Sequence, residues 1–143
     1  MNKFNRILVL TSAPFPNGRA TANRIKIIVK HQYVPEQSDP VRSYYVFAYH
    51  ITITNQGEHT SQLLSRYWHI TDGQGNVEDI HGPGVVGKTP TLQPGESFEY
   101  TSFCPLPTPM GFMEGTFRMV HSNGEEFDAQ IKPFRLIAPQ VLN

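Results

Sequence analysis

Gly82, Gly84 and Gly87, followed at once by Lys88, carry the Gly-x-Gly-x-x-Gly spacing with which a backbone can wrap a phosphate. Glycines let consecutive amides turn toward one anion, and a lysine adds positive charge. Dinucleotide-binding folds also need a helix, whose N-terminal amides and dipole hold the pyrophosphate. Here Thr89-Pro90-Thr91-Leu92-Gln93-Pro94 follows, and its two prolines forbid a continuing helix. A Rossmann site is therefore excluded by context. Two roles remain. One is an anion-binding concavity built from Gly82, Gly84, Gly87 and Lys88, with Arg66 nearby. The other is a corner of the fold, where glycine permits close backbone approach.

Arg66 stands in phase with Leu64, Trp68 and Ile70, so alternation aims it at the core. A buried guanidinium needs a partner, so either a carboxylate meets it, with Glu78 or Asp79 on the next strand the expected one, or the strand twists it to an edge. Tyr67 and Trp68 read as hairpin and core packing rather than a binding platform. The six histidines, His31, His50, His59, His69, His81 and His121, show none of the HxxxH, HxH or Cys-paired spacings of a local zinc site. His69 and His81 are expected to face each other across the hairpin, near Glu78. No metal and no cofactor are implied by spacing.

Catalysis finds little support. A nucleophile needs a base and an orienting group, and Cys104 has only Pro105 beside it. No GxSxG and no Walker sequence is present. Glu125-Glu126 beside Asn123-Gly124 reads as a solvated turn. The chain is expected not to be an enzyme.

The elements that must position these residues are strands. Ile25, Ile27 and Val29 alternate with Arg24, Lys26 and Lys30, and Tyr45, Phe47, Tyr49, Ile51 and Ile53 mark the longest run. A strand through Leu64, Trp68 and Ile70 closes at Thr71-Asp72-Gly73-Gln74-Gly75, and Asn76 to His81 returns from it. Pro94-Gly95 launches Glu96 to Cys104. Phe112 to Ser122 then turns at Asn123-Gly124 into Phe127, Ala129 and Ile131. Seven strands with no amphipathic helical window predict an all-β, two-sheet sandwich. Residues 1–23, punctuated by Pro14, Pro16, Asn17 and Gly18, are expected to be a flexible extension, and residues 24–143 the domain.

A chain of 143 residues is the usual size of one domain. Its 12 Lys and Arg balance 12 Asp and Glu, so no long-range field draws it onto nucleic acid or an anionic membrane. The apolar run Ile7-Leu8-Val9-Leu10 is too short for a signal peptide. A lone cysteine rules out an internal disulfide. The expectation is a cytoplasmic protein with neither a nucleic acid nor a membrane partner.

The stretch Ser65-Arg66-Tyr67-Trp68-His69-Ile70-Thr71-Asp72-Gly73-Gln74-Gly75-Asn76, with the glycine loop, resembles the ApaG family of small bacterial proteins. So do Leu92-Gln93-Pro94-Gly95-Glu96-Ser97-Phe98-Glu99-Tyr100-Thr101-Ser102 and Cys104-Pro105-Leu106-Pro107-Thr108-Pro109-Met110-Gly111. The resemblance implies a fold similar to fibronectin type III domains. It also implies a non-catalytic module that binds another protein, because ApaG-like domains occur in F-box adaptors and in a polymerase-delta-interacting protein. Candidate surfaces are exposed strand edges, the Pro105 to Met110 loop and the glycine loop. The alternative it implies is a nucleotide or pyrophosphate ligand at the glycine loop, because the gene often neighbours a diadenosine tetraphosphate hydrolase. An association with cobalt and magnesium tolerance is a phenotype of cells. Phe103 and Ser65 depart from the family pattern, where small residues, usually Gly, are common.

Overall fold

In the computed structural model, which describes residues 24–139, the alternating run at Tyr45 becomes β2 (Tyr45–Asn55), the middle of the first sheet. That sheet has the order β1-β2-β6, with β1 at Ile25–Tyr33 and β6 at Ser97–Leu106, paired antiparallel throughout. The second sheet has the order β4-β3-β7-β8, with β3 at Ser61–Asp72, β4 at Val77–Pro83, β7 at Met110–His121 and β8 at Glu126–Ile137. A short strand, β5 (Thr91–Leu92), also pairs with β3. The result is a sandwich of two antiparallel sheets with eight strands, one more than the sequence pattern suggests. The eighth is β5, whose two residues are too few for alternation to show. The expected extension over residues 1–23 lies outside the described residues.

Inward residues of the two sheets interleave as the period-two pattern requires. Phe47, Tyr49, Ile51 and Ile53 of β2 meet Leu63, Trp68, Met113, Phe117, Met119 and Ile131 from the facing sheet. Tyr49 stands edge-on to Trp68 with ring centroids 5.3 Å apart, and Trp68 stands edge-on to Phe134 at 6.1 Å. The outer face of β2 is buried as well. Val46 and Ala48 form a second small cluster with Val34, and the Ser38 hydroxyl links the Val34 carbonyl to the Val46 amide.

One expected alignment changes. Leu63 pairs with Met119 and Ser65 with Arg118, so Leu64 is an extra residue in β3. A bulge resets the phase of a strand. Leu63 is consequently the buried residue, while Leu64 stays half-exposed and does not share the inward face of Trp68 and Ile70. In β8, Met113 pairs with Phe134 but Gly115 with Ile131, which places the extra residue beside Pro133. Proline has no amide to lose there.

Gly115 lies opposite Trp68 across β3 and β7. A Cβ at Gly115 would run into the backbone carbonyl oxygen of Tyr67. No flexible side chain can yield there, so Gly115→Ala is expected to destabilise the fold by about 3 kcal/mol, read from urea unfolding. A change below roughly 0.5 kcal/mol would show that the strands move apart freely.

Candidate functional site

The glycine segment folds as a two-residue reversal at the end of β4. The Val85 amide donates to the Lys88 carbonyl at 2.8 Å, and the Lys88 amide returns to Val85 at 2.9 Å. Val86 and Gly87 at the tip both have positive φ, 43° and 78°. Matching backbone twist in such a turn favours Asn or Gly at its first position, and a β-branched valine there is strained. Gly84, with φ of 59°, donates its amide to Leu64 at 2.8 Å, and a Cβ on it would strike the Lys88 carbonyl oxygen. Three loop amides are thus engaged inside the protein. Those of Val86 and Gly87 stay at the exposed tip beside Lys88.

Arg66 holds this corner. Its Nη1 donates to the carbonyls of Pro83 and Gly84, both at 3.0 Å. The guanidinium lies flat over Gly82, where an added Cβ would come within 2.8 Å of it. Neither Glu78 nor Asp79 is the partner, contrary to expectation. Cross-strand register explains why: Arg66 faces Gly82, while Ile70 faces Glu78 and His69 faces Asp79. The structure therefore brings Arg66, Gly82 and Gly84 together, with Gly87 and Lys88 on the far side of the turn. It presents carbonyl oxygens, not amides, to the arginine.

Arg66 also lines a cleft of about 260 Å³ between the sheets, together with Trp68, Glu78, Ile80, Ser102 and Phe103. On the opposite side of the sandwich, β1 meets β8, and His31 stacks on Phe134 at 5.3 Å. Here the edges of β4 and β6 stay apart. Trp68 is 2% exposed, yet its indole N–H has no acceptor. Sequence periodicity gave no hint of this orphan donor, although correct pairing would have placed Trp68 next to Ile80 of the edge strand β4.

The histidines divide by register. His69 Nδ1 and the Tyr67 hydroxyl both meet Asp79 Oδ1, at 2.8 and 2.7 Å, and His81 stacks on Tyr67 at 4.7 Å. His69 and His81 therefore do not face each other, and Asp79 rather than Glu78 is the nearby carboxylate. The hydrogen bonds from Tyr67 and His69 hold the Asp79 carboxyl below its usual range, and the same contact pushes the Tyr67 phenol up. His50 is buried between Thr101 and Glu99, with ring nitrogens 2.8 and 2.9 Å from them. His121 lies against Phe127, and its pKa is lowered by burial and then by His59. Among the described residues no three metal-binding side chains cluster.

Cys104 is buried, and burial, with some help from Glu78, raises its thiol from 9.0 to about 12. The Pro105 to Met110 loop is tied down. Thr108 Oγ1 accepts from the Gly73 amide at 2.8 Å and donates to the Met110 carbonyl at 2.7 Å, while Leu106 and Thr108 are buried. Among the described residues no helix is long and apolar enough to cross a membrane.

The family model described as the ApaG domain matches residues 35–121. Protein ApaG of Bordetella pertussis is 52% identical over 119 residues, 83% of this chain and 91% of that protein. Protein ApaG of Mesorhizobium japonicum is 51% identical over 121 residues, 85% and 93% of the two chains. The crystal structure of the putative ApaA protein of Bordetella pertussis superposes with a TM-score of 0.81 at 51% identity, covering 84% of this chain and 98% of that one.

Two outcomes test the geometry. Val86→Asn suits the left-handed tip and is expected to raise stability by about 1 kcal/mol, read from thermal or urea unfolding. Native Cys104 should resist iodoacetamide at pH 8 and react once the chain is unfolded in urea, because only the thiolate is nucleophilic. Its raised pKa also makes the unfolded chain release the proton first, so this contribution to stability is complete below pH 9.0 and fades between there and about 12.

Proposed function

This chain belongs to the ApaG family, and from that premise we propose that it is a non-catalytic binding module whose partner is another protein, held at the open side of the sandwich. The carrying observation is the cleft between the free edges of β4 and β6, lined in part by Trp68, whose buried indole N–H is unpaired. A buried donor with no acceptor costs free energy that an incoming acceptor recovers. The two loops suggested by the sequence adjoin this cleft: Pro105 lines it, and Arg66, which also lines it, bonds the Gly84 carbonyl of the glycine corner. A protonated, buried Cys104 favours recognition over nucleophilic chemistry. A single cysteine without a disulfide partner suits a reducing cytoplasm.

A second reading rests on the tip amides. Val86 and Gly87 leave two N–H groups beside Lys88, enough to contact one phosphate of a nucleotide or pyrophosphate. Gly84→Val is a poor test of it, because the side chain would collide with Lys88 and break the corner. Lys88→Ala is the cleaner variant. Any connection with cobalt or magnesium tolerance would then run through the bound partner or ligand.

An NMR titration of the labelled protein with diadenosine tetraphosphate, paired with affinity capture from native lysate, decides between the two. Capture that is lost in Ile80→Asp, with no ligand shifts at Gly84 to Lys88, supports the protein-binding module. Saturable shifts confined to that loop and weakened in Lys88→Ala would move the function to nucleotide phosphates.

A further inference from the structure

The two sheets are unequal where they open. Three strands, β1-β2-β6, face a path of four, β4-β3-β7-β8, and β1 already packs on β8. Across from β4 the first sheet presents only its edge strand β6, and a cleft separates the two. Glu78 and Ile80, on the inward side of β4, therefore border a cleft, while Gly82 lies under Arg66.

Its walls are also polarised. Arg66 and Glu78 lie four residue pairs apart along the hairpin, about 13 Å at strand spacing. Trp68 and Ile80 are the pair between them. Across the cleft, Tyr49 and Ser102 are at the Arg66 end, and Cys104 is at the Glu78 end. One end is positive, the other negative, and the middle is apolar with a single unanswered donor.

Resting on the binding-module reading, we propose that this cleft receives a short extended segment of a partner protein, which pairs antiparallel with the free edge of β6 and completes the first sheet as its fourth strand. Strand addition of this kind draws affinity from main-chain hydrogen bonds and specificity from alternate side chains. Antiparallel pairing fixes the order of the segment's residues. It enters at the Cys104 and Glu78 end with a basic residue, sets an apolar residue between Trp68 and Ile80, and leaves at the Ser102 end with an acidic residue facing Arg66. An oxygen of the segment accepts the Trp68 N–H. Pro105 has no amide to offer and bounds the ladder at one end.

A phage-displayed library of random nine-residue peptides, selected on the full chain, tests this. Enriched peptides should share the order basic, apolar, acidic, and should shift the Trp68 indole N–H resonance on binding. Ile80→Asp and Phe103→Asp, both on half-buried or exposed edge positions, should each weaken binding at least about tenfold by bringing a charge into the apolar site. Glu78→Lys should reverse the preference at the first position. Peptides that bind all three variants as they bind the wild type overturn the cleft while leaving a binding module elsewhere on the domain. An absence of enriched peptides overturns strand addition, whereas failed lysate capture strikes at the module itself. Concentration-dependent self-association that shifts the Trp68 indole without peptide assigns the cleft to a second copy of the chain and overturns the proposal.

Discussion

The region around the cleft depends on one half-buried cation. Arg66 occupies an inward position of β3, where a guanidinium can be tolerated only if its protons are met. Two carbonyls of the glycine corner meet those of Nη1, and Gly82 supplies a surface without a side chain on which the plane can rest. The corner in turn can take that shape only because Gly84 and Gly87 adopt positive φ. Arginine and glycines are one device. It anchors the end of β4 to β3 and, by orienting carbonyl oxygens inward, uses the polarity of the loop to stabilise the fold.

That device also explains the asymmetry of the sandwich. Aromatic contact closes the β1 and β8 side, through His31 on Phe134 and the Phe134 contacts with Tyr49 and Trp68. On the other side the polar Arg66 and Glu78 stand where apolar residues would seal the sheets together. A cleft persists because closing it would strip water from both charges without pairing them. Trp68 belongs to both regions: its ring packs in the aromatic core and also lines the cleft, while its buried N–H is left without an acceptor.

Much of the architecture was legible in the residues. Tyr45 to Ile53 alternates cleanly because β2 is regular along its whole length, and Pro94-Gly95 and Asn123-Gly124 mark turns whose glycines do have positive φ, 91° and 90°. The phase error at Leu64 has a specific cause. A bulge adds one residue with no compositional signature, so alternation counted from Leu64 assigned the wrong hydrophobic residue to the core. Arg66 was rightly placed on the inward face, but its partner was missed because carbonyl oxygens carry no letter in a sequence. The pairing of His69 with Asp79, and not with His81, depended on the length of the Asp72 turn. Asp72 fixes that length through its bonds to the Gln74 and Asn76 amides.

By itself the sequence determined the all-β class, the position of most strands and turns, and the incompatibility of the glycine loop with a helix, since each follows from local backbone chemistry and the period of side chains along a strand. The tertiary structure alone decided that Arg66 grips the glycine corner, that β5 exists, and that the sandwich is closed on one side and open on the other. Those features arise from register between strands distant in the chain and from the burial of particular atoms, such as the indole N–H of Trp68. Neither has a local pattern to be read.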